Sequence, residues 1–119
     1  MSPTARTLKY YRDQGVDTDV TERRLPFHGD KPGGYLRDLF GFIDLIALTD
    51  SGIVGIQATS TTNASHRIMK IRCECEGLAT KWVNSGGKIL VIGWRKYAKP
   101  VDRKFWRPTI VDLTEEFRQ

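Results

Sequence analysis

Hydrophobic positions along this chain change their spacing several times, and each change marks an element. Residues 40 to 60, FGFIDLIALTDSGIVGIQATS, hold two dense apolar runs separated by Asp50-Ser51-Gly52, which reads as two strands joined by a tight turn. Strands this apolar are expected to be covered on both faces. Upstream, Ser2-Pro3 is a helix-start signal and Gly15 a stop, with Leu8 and Tyr11 on one face of the short helix between them. Residues 16 to 25 alternate loosely and suit a first strand carrying Glu22. The segment from 26 to 36 is dense in Pro and Gly and predicts a mobile loop. Downstream, Ile68, Ile71, Cys75, Leu78, Trp82 and Val83 recur at helical spacing and predict one long helix over roughly 63 to 85, stopped by Gly86-Gly87. KILVIGW at 88 to 94 reads as a buried strand, and a last strand is expected near 109 to 113. The order is αβββαββ. A strand, a helix and a strand in succession imply a crossover, hence a mixed central sheet in an α/β fold.

Composition narrows the setting. A chain of 119 residues, 39% hydrophobic and 28% charged, suits one globular domain over 1 to 119. No apolar run approaches the ~20 residues needed to span a bilayer, and MSPTARTLKY lacks the apolar core of a signal peptide. Cys73 and Cys75 without an export signal suggest a reducing, cytoplasmic location. They do not suit zinc, because residues two apart on a helix point to different faces and no second pair completes the ligand set. The net charge of +5 favours a polyanionic partner. Much of that charge lies in a basic hairpin expected near 95 to 108, where Arg95, Lys96, Lys99, Arg103, Lys104 and Arg107 interleave with Tyr97, Phe105 and Trp106. Cations there would neutralise phosphates and aromatics would stack on exposed bases. Phe105 and Trp106, as strand neighbours, should face opposite ways, which would put one of them in the core.

One side chain inside the apolar hairpin carries chemistry. Asp44 must be solvated at a cleft, paired, or bound to a cation, because a bare buried carboxylate is costly. With this aspartate and the later polar Gln57-Ala58-Thr59, GFIDLIALTDSGIVGIQATS resembles the PD-(D/E)XK nucleases, and among them the Holliday-junction resolvases and related small phage and archaeal nucleases. The resemblance implies a restriction-endonuclease-like αβββαβ(β) core, a Mg²⁺ or Mn²⁺ cofactor, branched or structured DNA as substrate, and a homodimer. Asp44 matches the family's metal-binding aspartate and Gly41 its glycine. Ile43 stands where proline is common, Gln57 where the family has glutamate, and Thr59 where it has lysine. The first helix carries no acid to match the family's glutamate.

These departures define what else the site needs. Strand alternation sets Gln57 and Thr59 on one face, so Asp44, the Gln57 amide oxygen and a backbone carbonyl near Ala58 are candidate ligands. Glu22 is a candidate second carboxylate, and Asp38 lies just before the second strand. Lys70 is a candidate for the charge missing at Thr59, although an i,i+4 pair with Glu74 is the plainer expectation. Arg67, beside His66 one turn earlier, is a candidate phosphate contact. Three functions fit: a metal-dependent endonuclease, a DNA-binding module that keeps a nuclease fold without catalysis, and a phage-like structural or interaction protein.

Overall fold

The computed structural model describes residues 1–26, 35–98 and 104–119, the side chains of Tyr35, Ala98 and Lys104 excepted. Most of the segment read as a mobile loop therefore lies outside the described residues. In chain order the elements are α1 (Pro3–Asp13), β1 (Asp17–Val20), β2 (Arg23–Leu25), β3 (Tyr35–Arg37), β4 (Leu45–Thr49), β5 (Gly52–Ser60), α2 (Thr61–Glu74), α3 (Glu76–Asn84), β6 (Lys88–Ala98), β7 (Lys104–Asp112) and a 3₁₀ turn at Thr114–Phe117. Five strands form one mixed sheet in the order β1-β4-β5-β6-β7, and β2 and β3 form a separate antiparallel ribbon. Among the described strands only β5 and β6 run parallel, joined by the α2–α3 crossover. The protein is thus an α/β fold with three helices around a mixed sheet. Among the described residues no helix is long and apolar enough to cross a membrane.

Strand alternation divides the core in two. Leu45, Ala47, Val54, Ile56, Ala58, Ile92 and Trp94 pack on one face with Tyr11 and Leu8 of α1. Ser2 Oγ caps α1 by accepting from the Ala5 N–H, and Trp94 Nε1 donates to Thr7 Oγ1 at 2.9 Å, tying that helix to β6. On the opposite face Ile89 and Val91 meet Ile71, Cys75, Ala79 and Val83 of α2 and α3. The start of α2 lies directly on β6: a Cβ at Gly93 would come within 3.0 Å of Thr61 Cα.

Four expectations about the elements are corrected. The strand over 16 to 25 is two strands in two sheets. The chain bends between them because the Thr21 and Glu22 N–H groups both donate to the Asp44 carbonyl, and Thr21 Oγ1 donates to that of Ile43. The helix over 63 to 85 breaks at Cys75, which ends α2 and starts α3. The break keeps the i,i+4 row 71, 75, 79 and 83 against the sheet and turns Leu78 outward, 44% exposed. The first strand of the hairpin begins at Leu45, since residues 39 to 43 close a tight loop. The last strand begins at Lys104, so the β6–β7 hairpin is long.

Candidate metal centre

Asp44 immediately precedes β4. The register Leu45↔Ile56 sets it opposite Gln57, and its N–H donates to the Ile56 carbonyl at 2.7 Å. Its Oδ2 accepts from Gln57 Nε2 at 2.6 Å and from the Ala58 N–H at 2.9 Å, with the residue 3% exposed. Asp38 is folded back towards it by the loop that follows. Leu39 and Ile43 exchange both backbone hydrogen bonds, and the Gly41 N–H donates to the Asp38 carbonyl. Phe40 and Gly41 make the turn at φ 55 and 85. The left-handed conformation costs a non-glycine residue such as Phe40 about 1–2 kcal/mol, which the loop's hydrogen bonds must offset. Glu22 arrives from the β1–β2 bend and opposes Asp38 in continuation of the ribbon register Arg23↔Arg37. Carboxylate oxygens of Glu22, Asp38 and Asp44 then lie within 4.8 Å of one another.

Burial and crowding raise two of these groups, Asp44 and Glu22. Burial chiefly, then a hydrogen bond and charge from Asp38 and the charge of Glu22, push Asp44 up to about 8 from an ordinary 3.8, against the opposing Ala58 N–H. Glu22 is also raised, by burial first and then by Asp38, with Arg67 opposing. Like charges this close oppose one another's ionisation, and a cation among them would relieve that opposition.

The donor set suits a hard divalent cation, which takes carboxylate oxygens. The third carboxylate is Asp38, which the sequence placed nearby without an assigned role; its signal was an acid just upstream of a Phe-Gly turn. Gln57 sits at the expected place but offers its N–H: Nε2 faces Asp44 and, at 3.4 Å, Asp38. Its Oε1 is buried and unpartnered among the described residues, and an unmade buried hydrogen bond costs about 1–3 kcal/mol. Ala58 contributes its N–H to Asp44, where a carbonyl had been the expected contribution. Thr59 is buried on the same face, opposite Gly93.

Cations stand beside the acids. Arg67 and Lys70, one turn apart on α2, line a cleft of about 390 Å³ with Glu22 and Asp38. Lys70 makes no ion pair with Glu74 among the described residues, so the plainer expectation for it does not hold.

The basic hairpin is built as cation–aromatic stacks. Tyr97 and Phe105 stack at 5.8 Å, with the Arg95 guanidinium 5.1 Å from the Tyr97 ring centre and that of Arg107 4.7 Å from Phe105. On the other face the Arg6 guanidinium lies 3.7 Å from the Trp106 ring, and Lys96 approaches the same ring. The expectation that Phe105 or Trp106 enters the core is corrected, because both belong to these stacks. Arg95, Lys96 and Arg107 are exposed. Lys99 and Arg103 lie outside the described residues, as does the Lys104 side chain.

No protein-family model, curated protein or solved structure matches this chain. Fold and site by themselves define an α/β protein in which a buried aspartate at the root of the central hairpin meets two half-buried acids from the ribbon, beside helix-borne cations.

Proposed function

We propose that the protein is a metal-dependent endodeoxyribonuclease of the PD-(D/E)XK, restriction-endonuclease-like kind, acting on branched or structured DNA, with a homodimer as the working form. The observation that carries this reading is the convergence of Glu22, Asp38 and Asp44 within 4.8 Å, with Glu22 and Asp38 lining a cleft shared with Arg67 and Lys70 and Asp44 buried behind them. Acids alone are common on surfaces. Acids brought together against their own repulsion, one of them almost fully buried, are a candidate site. A Mg²⁺ or Mn²⁺ ion held by the three carboxylates would supply an activated water and charge neutralisation at a phosphodiester.

The chain's own residues do the rest. Gln57 and the Ala58 N–H fix the Asp44 carboxylate by two hydrogen bonds. Half a turn of the Gln57 amide would present its unpartnered oxygen to a cation among the acids. Lys70 takes over from α2 the positive charge absent at Thr59, next to the position of a scissile phosphate, where it favours developing negative charge. Arg67 holds an adjacent phosphate. Arg95, Lys96 and Arg107, with Lys99, Arg103 and Lys104, extend the phosphate contacts onto the hairpin.

One observation favours a second reading, a DNA-binding module without catalysis. Gln57 Nε2 donates to Asp44 at 2.6 Å and towards Asp38 at 3.4 Å, so an uncharged amide group, where a nuclease would carry a carboxylate, ties two of the acids together. A nicking assay on junction and plasmid DNA with Mn²⁺, with Asp44→Asn as control, separates the two. The nuclease reading expects cleavage by the wild type that the variant loses. DNA binding without cleavage or metal uptake selects the second.

A further inference from the structure

The β2–β3 ribbon carries two like-charged pairs in succession. Glu22 and Asp38 face each other at its root, and Arg23 and Arg37 are directly paired one step further out. Like charges opposed across an antiparallel pair are destabilising, and no ion pair among the described residues relieves this one. Neither arginine forms an ion pair among the described residues, although Asp38 and Glu74 line the same cleft of about 560 Å³. Lys70 lines that cleft as well, and Arg37 also reaches the adjoining cleft that holds Glu22 and Arg67.

We infer that Arg23 and Arg37 form an anion clamp that grips a phosphate of the bound nucleic acid next to the carboxylate cluster, which rests on the nuclease reading for its ligand. The chemistry suits the task. Two guanidiniums present planar forks that take phosphate oxygens in pairs, which a lysine point charge does not reproduce. The ribbon step of about 3.3 Å between the acid pair and the arginine pair ties cation site and phosphate site to one rigid element. Successive side chains on a strand point to opposite faces, so the clamped phosphate lies in the cleft that Arg23 and Arg37 share with Asp38 and Lys70, across the ribbon from Glu22. Short of ligand the pair repels; with a phosphate between them both charges are satisfied.

The test uses the full chain in EDTA, with pyrophosphate as the probe, read by thermal unfolding and by titration. Arg23→Gln and Arg37→Gln should each raise the ligand-free melting temperature by about 1–4 °C, with the double variant gaining less than both together. Each should weaken pyrophosphate binding about tenfold. Arg37→Lys should keep the wild-type melting temperature and still lose affinity, an outcome a merely structural arginine would not produce. Melting temperatures that fall in both single variants, or pyrophosphate affinity unchanged in the double variant, would overturn the clamp. Asp44→Asn should bind pyrophosphate at least as tightly as wild type. If the protein neither nicks DNA nor takes up Mn²⁺ while the arginine variants behave as stated, the nuclease reading fails and the anion site stands.

Discussion

Replacing Asp44 with asparagine keeps the shape of the side chain and removes its charge, at a position only 3% exposed. The asparagine oxygen can still accept from Gln57 and from the Ala58 N–H, and its amide can donate towards Asp38. In the folded wild type Asp44 holds its proton up to about pH 8, whereas the unfolded chain releases it near 3.8. Between those values the folded state binds more protons than the unfolded state, so stability falls as pH rises, by about 1.4 kcal/mol per unit for this group. Below 3.8 both states are protonated and the penalty vanishes; above 8 both are ionised and it levels off. At pH 7 the accumulated penalty is about 4 kcal/mol, an upper bound because neighbouring acids share the proton. Asp44→Asn in EDTA should therefore be more stable than wild type at pH 7 by up to that amount, with the difference closing towards pH 4. Urea unfolding from pH 4 to 9 measures it. Saturating Mn²⁺ should narrow the gap, since a ligand at a hundred times its Kd stabilises by about 2.7 kcal/mol, at a thousand times by about 4.1, and only wild type keeps the full ligand set. Parallel pH profiles for the two proteins, or a variant less stable throughout, would refute the buried-carboxylate reasoning.

Other perturbations test other parts of the site. Gln57→Glu adds a fourth carboxylate, so calorimetry should show tighter Mn²⁺ binding and urea unfolding in EDTA a less stable protein. Lys70→Met should slow nicking about 10²-fold or more while leaving Mn²⁺ affinity intact or stronger; equal loss of both would make Lys70 a structural residue. Reversing Arg95, Lys96 and Arg107 to glutamate should weaken binding to branched and linear duplexes alike and flatten the dependence on log salt by about one for each phosphate contact removed. Gly93→Ala, which sets a methyl group 3.0 Å from Thr61 Cα, should cost about 1–3 kcal/mol in urea unfolding without changing Mn²⁺ affinity in the folded protein.

The sequence by itself determined the parts that depend on near neighbours. The apolar runs around Asp50-Ser51-Gly52 and the cap signals at Ser2-Pro3 were readable because strand alternation and helix starts are local properties. The pairing of Asp44 with Gln57 followed from the short turn, which leaves the hairpin little freedom of register. Tertiary structure alone decided which distant residues share a volume. Glu22 and Asp38 meet Asp44 only because the first strand bends at Thr21, drawn by carbonyls of residues 43 and 44, and because Phe40 accepts a left-handed backbone. No periodicity encodes either event, since both are set by hydrogen bonds between segments far apart in the chain. The Arg23–Arg37 pair was hidden for the same reason, as were the helix break at Cys75 and the cleft that admits Lys70. Residue spacing carries backbone periodicity, but a site of charged groups is made by register and by loops that the rest of the fold holds in place.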